Sequence, residues 1–129
     1  MSNAAEPRAL VIDDEPSVRQ VLRDFLSFLA IEADEAPGGA EGLACLADAR
    51  YDLVLTDLIM PGMTGMEVAE AVRVKHPAIA VVVVTGSAMP NVVDGIHQKG
   101  FHVLGKPFTL DAFKTTIERA LATVANSSA

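Results

Sequence analysis

Apolar residues in this chain come in short blocks separated by amphipathic stretches. The blocks Ala9-Leu10-Val11-Ile12, Leu53-Val54-Leu55-Thr56, Ile79 to Val84 and Phe101 to Gly105 are rich in aliphatic and β-branched residues. Unbroken runs of this length predict strands buried on both faces, and Val81 to Val84 is the clearest case. Ile31 to Ala36 is more polar and predicts a second strand at a sheet edge. Between the strands the period changes. Val18, Leu22, Phe25, Leu26 and Leu29 form the stripe of a first helix, with Pro16 in its opening turn and Asp14 or Glu15 as its cap. After the turn Pro37-Gly38-Gly39, Ala40 to Leu46 predicts a second helix, and the loop 61–65 opens a third over Met66 to Lys75. His76-Pro77 closes that helix, because the residue before proline disfavours helical geometry. A loop over 86–91 leads to a short fourth helix, Val92 to Lys99, with Gly100 as a left-handed stop. Thr109 caps the last helix, whose stripe is Ala112, Phe113, Ile117, Ala120 and Leu121.

Five alternations of strand and helix predict an α/β fold: a parallel sheet with helices on both faces and right-handed crossovers. A common order for five strands is 2-1-3-4-5, the flavodoxin-like three-layer arrangement, with its switch point between strands 1 and 3. Ligands bind there, beyond the carboxyl ends of the strands. Four strands end in chemically capable residues: Asp13-Asp14, Asp57, Thr85 and Lys106-Pro107. Taken singly, each has an ordinary explanation as a helix cap, a turn residue, a strand end or a solvated lysine. Jointly they put three carboxylates, a hydroxyl and an ammonium at one edge. Three crowded carboxylates repel, and a hard dication such as magnesium, or manganese, relieves the repulsion. A carboxylate is also a nucleophile toward a phosphoryl group, whose transfer needs positioning and charge neutralisation. Asp57, at a central strand end between the metal ligands and Lys106, is the candidate nucleophile.

With 129 residues, half of them apolar and 21% charged, the chain is one globular domain. The ordered domain is expected over 7–124, with 1–6 a disordered tail or cloning remnant and 125–129 a polar tail. The net charge of −7 and the lack of a basic stretch argue against nucleic-acid or anionic-membrane binding. No apolar run is long enough to span a membrane and no leader opens the chain, so a cytoplasmic location is expected. The lone Cys45 fits a reducing compartment and reads as core packing. His76, His97 and His102 lack metal-ligand spacing and read as surface or helix-end residues.

At this point the chain resembles the receiver domain of two-component response regulators, the family that includes the chemotaxis response regulator. The matching segments are Leu10 to Glu15, Asp57 to Gly65, Val82 to Gly86 and Gly105 to Phe108. The resemblance implies that Asp57 is the phosphoacceptor, fed by a histidine kinase or a histidine phosphotransfer protein. It implies that Asp13, Asp14, Asp57 and the Ile59 backbone carbonyl hold magnesium, that Thr85 and Lys106 engage the phosphoryl group, and that the Lys106–Pro107 bond is cis. The family usually carries an aromatic switch residue three positions before the lysine; here that residue is Val103, so the Thr85–Val103 switch region departs from the pattern. Ile59 and Ser87 occupy the positions that tune hydrolysis, and an apolar Ile59 implies slow self-dephosphorylation. Val18 and Val21 fall on the helix that docks phosphodonor partners in the family, with Phe28 off its core stripe.

The expected role is a switch that catalyses only its own phosphorylation and dephosphorylation and acts through a protein-binding surface. A hydrolase of the haloacid dehalogenase type needs a second Asp two residues after the nucleophile, where this chain has Ile59. An FMN carrier needs a hydroxyl- and glycine-rich loop after strand one, where this chain has Asp13-Asp14-Glu15-Pro16. A receiver that signals without phosphate stays open because of Val103. The cognate kinase, the output partner or fused output domain, and homodimerisation are not legible in the sequence.

Overall fold

The computed structural model describes residues 7–86 and 89–127. The expected tail at 1–6, Ser87, and the last two residues lie outside them. Five strands and five helices alternate: β1 (Arg8–Ile12), α1 (Pro16–Phe28), β2 (Glu32–Ala36), α2 (Gly39–Asp48), β3 (Leu53–Asp57), α3 (Gly65–Lys75), β4 (Ala80–Thr85), α4 (Pro90–Gln98), β5 (His102–Gly105) and α5 (Leu110–Ser127). The strands form one parallel sheet in the order β2-β1-β3-β4-β5, as the sequence predicts.

Strand alternation splits the core in two. Ala9, Val11, Leu53, Leu55, Val82, Val84 and Leu104 face α1 and α5, against Leu22, Leu26, Phe113 and Ile117. Leu10, Ile12, Val54, Val81 and Val83 face α2, α3 and α4, against Leu46, Val68, Val72 and Ile96. Both faces of the three central strands are therefore dry, which is why they read as unbroken apolar runs. Cys45 is half-buried against the second layer, in keeping with a packing role.

Several element ends differ from the sequence reading. Neither Asp14 nor Glu15 caps α1; Glu15 is the N-cap residue but makes no side-chain cap bond. Asp13 bonds just outside the helix, its Oδ1 accepting the Glu15 N–H at 2.9 Å, a local bond typical of Asp before a turn. α4 begins at Pro90, inside the expected loop, because proline at the first helical position costs no hydrogen bond. α5 runs on to Ser127, past the expected boundary at 124, each added residue gaining one backbone bond once the helix is nucleated. Thr109 does cap α5, its Oγ1 accepting the Ala112 N–H. Thr64 and Glu67 form a reciprocal capping box that opens α3. Gly100 ends α4 at φ +87°, and α1 ends in the same way on Ala30 at φ +61°.

Candidate functional site

β1, β3, β4 and β5 deliver their terminal residues to one edge of the sheet, at the switch point between β1 and β3. Asp13 follows β1 and is fully buried. Its N–H donates to the Ala36 carbonyl at 3.2 Å and its Oδ1 is engaged by Glu15, but the buried Oδ2 has no hydrogen-bond partner among the described residues. Asp57 ends β3, the central strand, and its Oδ1 accepts the Leu58 N–H at 3.0 Å. Asp13, Asp14 and Asp57 each offer a carboxylate oxygen, all within 4.8 Å of one another. Lys106 approaches from β5, its Nζ 3.6 Å from Asp57 Oδ1, and the Lys106–Pro107 bond is cis. Thr85 ends β4 and is buried.

The electrostatics follow from this crowding. Burial pushes the Asp57 carboxyl above the usual range, against the pull of Lys106. Burial also raises Asp13, opposed by the bond from Glu15 and reinforced by the Asp57 charge. A buried, unpartnered carboxylate oxygen is costly unless something cationic meets it. Three hard oxygen donors within 4.8 Å of one another, from Asp13, Asp14 and Asp57, fit a small dication such as magnesium or manganese.

Of the residues expected at the site from sequence, Asp13, Asp14, Asp57, Thr85 and Lys106 lie at this edge. Ile59 lies in the loop after β3, two residues beyond Asp57, with its side chain 72% exposed. Val103 pairs with Val83 across β4 and β5 and packs on the α2–α3–α4 layer, the face that alternation also gives Thr85. Val18, Val21, Leu22 and Phe25 of α1, with Lys106, Pro107 and Phe108, line an apolar groove of about 320 Å³ beside the site. Phe28 is 75% exposed and lies outside that groove. His102 is half-buried, and its burial, with His97 and Arg119 nearby, lowers its pKa; the surface reading fits His97 better.

Two residues near the site went unnoticed in the sequence. Arg19 donates from Nη1 to the Asp13 carbonyl at 2.7 Å and from Nε to Glu35 at 2.5 Å. No local motif links them. The signal was the parallel register of β1 and β2, which sets Glu35 opposite Val11.

Among the described residues no helix is long and apolar enough to cross a membrane. The chain is 34% identical over 113 residues to the DNA-binding transcriptional regulator NtrC of Escherichia coli K12, a match covering 87% of this chain and 24% of the relative. It thus spans about a quarter of that protein's length. The Vibrio cholerae chemotaxis protein CheY4 superposes with a TM-score of 0.81 at 30% identity, covering 90% of this chain and 99% of the other. TrrA of Thermotoga maritima, solved in complex with Mg(2+)-BeF, gives 0.79 at 30% identity, covering 88% and 98%. The family model for the response regulator receiver domain matches residues 9–118, from β1 into α5 and across every residue of the acidic edge. With that match, and with the acidic edge assembled on this sheet, the chain belongs to the response regulator receiver domain family.

Proposed function

We propose that this domain is a phosphorylation-driven switch in which Asp57 accepts a phosphoryl group from a phosphohistidine on a histidine kinase or a histidine phosphotransfer protein. The observation that carries the reading is the setting of Asp57: two further carboxylates within 4.8 Å and the Lys106 ammonium 3.6 Å away. An Asp57 oxygen attacks phosphorus, an O–P bond forms as the N–P bond breaks, and the imidazole nitrogen leaves with the bonding pair. Lys106 neutralises charge on the attacking side, and the Thr85 hydroxyl, at the next strand end, is the donor for a phosphoryl oxygen. Asp13, Asp14 and Asp57, with the Ile59 carbonyl, would hold magnesium or manganese. Such an ion supplies charge neutralisation for the incoming phosphoryl group.

Solvent-exposed Ile59 offers no group to orient a hydrolytic water, so the acyl phosphate is long-lived. The apolar groove of Val18, Val21 and Phe108 beside Lys106 receives the phosphodonor protein, and output passes from Thr85 to the α4–β5–α5 face through Val103. The domain acts in the cytoplasm and turns over no separate substrate. What it controls depends on an output partner or a fused domain.

The test is the intact mass after incubation with magnesium and acetyl phosphate, beside Asp57→Asn. A gain of one phosphoryl mass in the parent alone, abolished by chelator, supports the reading. A gain in neither protein, or an equal gain in both, overturns it. For the groove, polar substitution of Val18 and Val21 together should slow transfer from the protein donor and leave acetyl phosphate labelling intact.

A further inference from the structure

Asp13 is held at three atoms. Its N–H donates to Ala36 at the end of β2, its Oδ1 accepts from Glu15, and its carbonyl accepts from Arg19. Among the described residues only Oδ2 has no hydrogen-bond partner. The Arg19 bond reaches from the first turn of α1 back to the loop before it, and the Arg19 side chain is only 14% exposed. Glu35 fixes Arg19 in turn, taking Nε on one oxygen while Arg23 Nη1 takes the other at 2.7 Å. The planar guanidinium fork presents Nε–H and Nη1–H to the two acceptors from separate atoms in a fixed geometry, whereas an ammonium offers its donors from a single, freely rotating nitrogen. Glu35 is held below the usual carboxylate range by these partners, Arg19 foremost, so it stays charged and in place.

We propose that Arg19 is a positioning residue for the acidic edge: by bridging the Asp13 carbonyl to Glu35 it fixes the peptide between Asp13 and Asp14, and so aims both carboxylates at a shared dication. The inference rests on the reading of that edge as a magnesium site. Asp14 depends on the bridge most, because it is exposed and no side-chain hydrogen bond holds it among the described residues, whereas the Asp13 side chain has its own bond to Glu15. Groups that orient metal ligands from behind matter to affinity by about 10–100-fold.

The sign of the effect separates positioning from charge. Arg19 is a cation near a cation site, so by charge alone its removal would tighten magnesium binding. Positioning demands the reverse. Magnesium binding is measured by calorimetry on the parent, Arg19→Gln, Arg19→Lys and Arg23→Gln, with thermal denaturation in chelator as the measure of fold stability. Arg19→Gln should weaken binding about tenfold. Arg19→Lys, which keeps the charge and loses the fork, should remain weakened and covers the case in which the glutamine variant fails to fold. Arg23→Gln, which touches Glu35 and not Asp13, should bind within about twofold of the parent, even if it loses comparable stability. Unchanged or tighter binding in Arg19→Gln, full recovery in Arg19→Lys, or an equal loss in Arg23→Gln overturns the proposal alone. A parent that takes up no magnesium overturns it together with the reading it rests on.

Discussion

Replacing Asp13 by Asn should stabilise the metal-free protein. Asp13 is buried with one oxygen unpartnered, and its neighbours are carboxylates within 4.8 Å. At that separation and an effective permittivity of about 20, Asp13 and Asp57 repel by about 3.5 kcal/mol. Lys106, 3.6 Å from Asp57, offsets much of this, and the exposed Asp14 contributes only about 1 kcal/mol near the permittivity of water. The orphaned oxygen adds a desolvation cost of about 1–3 kcal/mol. Asn keeps the acceptor for Glu15 and turns the orphan into an N–H donor facing two carboxylates. The expected gain is about 1–3 kcal/mol after the lost attraction to Lys106 is counted. Urea denaturation at neutral pH, followed by far-ultraviolet circular dichroism, reads it directly.

The pH dependence carries the same sign. The folded pKa of Asp13 is raised, so the stability this group contributes at low pH is lost as pH rises through that folded value. The advantage of the variant should therefore shrink on acidification. Saturating magnesium should erase or reverse it, since the parent gains about 2.7 kcal/mol at a hundredfold excess over Kd and the variant gains less. A variant less stable than the parent in chelator would refute the picture of an electrostatically strained edge.

Gly65→Ala should cost about 3 kcal/mol or more and impair labelling of Asp57, because the new Cβ would lie 2.1 Å from the Asp57 carbonyl oxygen, a backbone atom that cannot swing away; urea midpoints and acetyl phosphate uptake test both. Ala30→Gly should stabilise by about 0.5–1 kcal/mol, the relief of a left-handed residue less the entropy cost of glycine. Gly100 fills the equivalent place after α4, so Gly100→Ala should destabilise in the same assay. Ile59→Asn should speed loss of the phosphoryl group several-fold in a chase after donor removal, by giving a water an orienting amide; an unchanged rate would reject the role given to Ile59.

The sequence alone determined the architecture. Strands buried on both faces must be continuously apolar, so Leu53 to Thr56 and Val81 to Val84 announced themselves without any tertiary information. It also determined which residues arrive at the edge, since a parallel sheet collects its strand ends on one side and Asp13, Asp57, Thr85 and Lys106 each sit at such an end. Boundaries were less legible, because Pro90 and Gly39 are compatible with either loop or first turn, and neighbours across the sheet decide. Tertiary structure alone decided three things. It determined that the Asp13 side chain turns back onto the Glu15 N–H while neither Asp14 nor Glu15 caps α1, since that choice depends on how the chain leaves β1. It set Val103 on the α4 face of β5, half-buried below Thr85, a result of register. Finally it joined Arg19 to Glu35 and to the back of Asp13, residues whose meeting no spacing along the chain encodes, because hydrogen bonds between elements exist only once β1 and β2 have paired and α1 has packed across them.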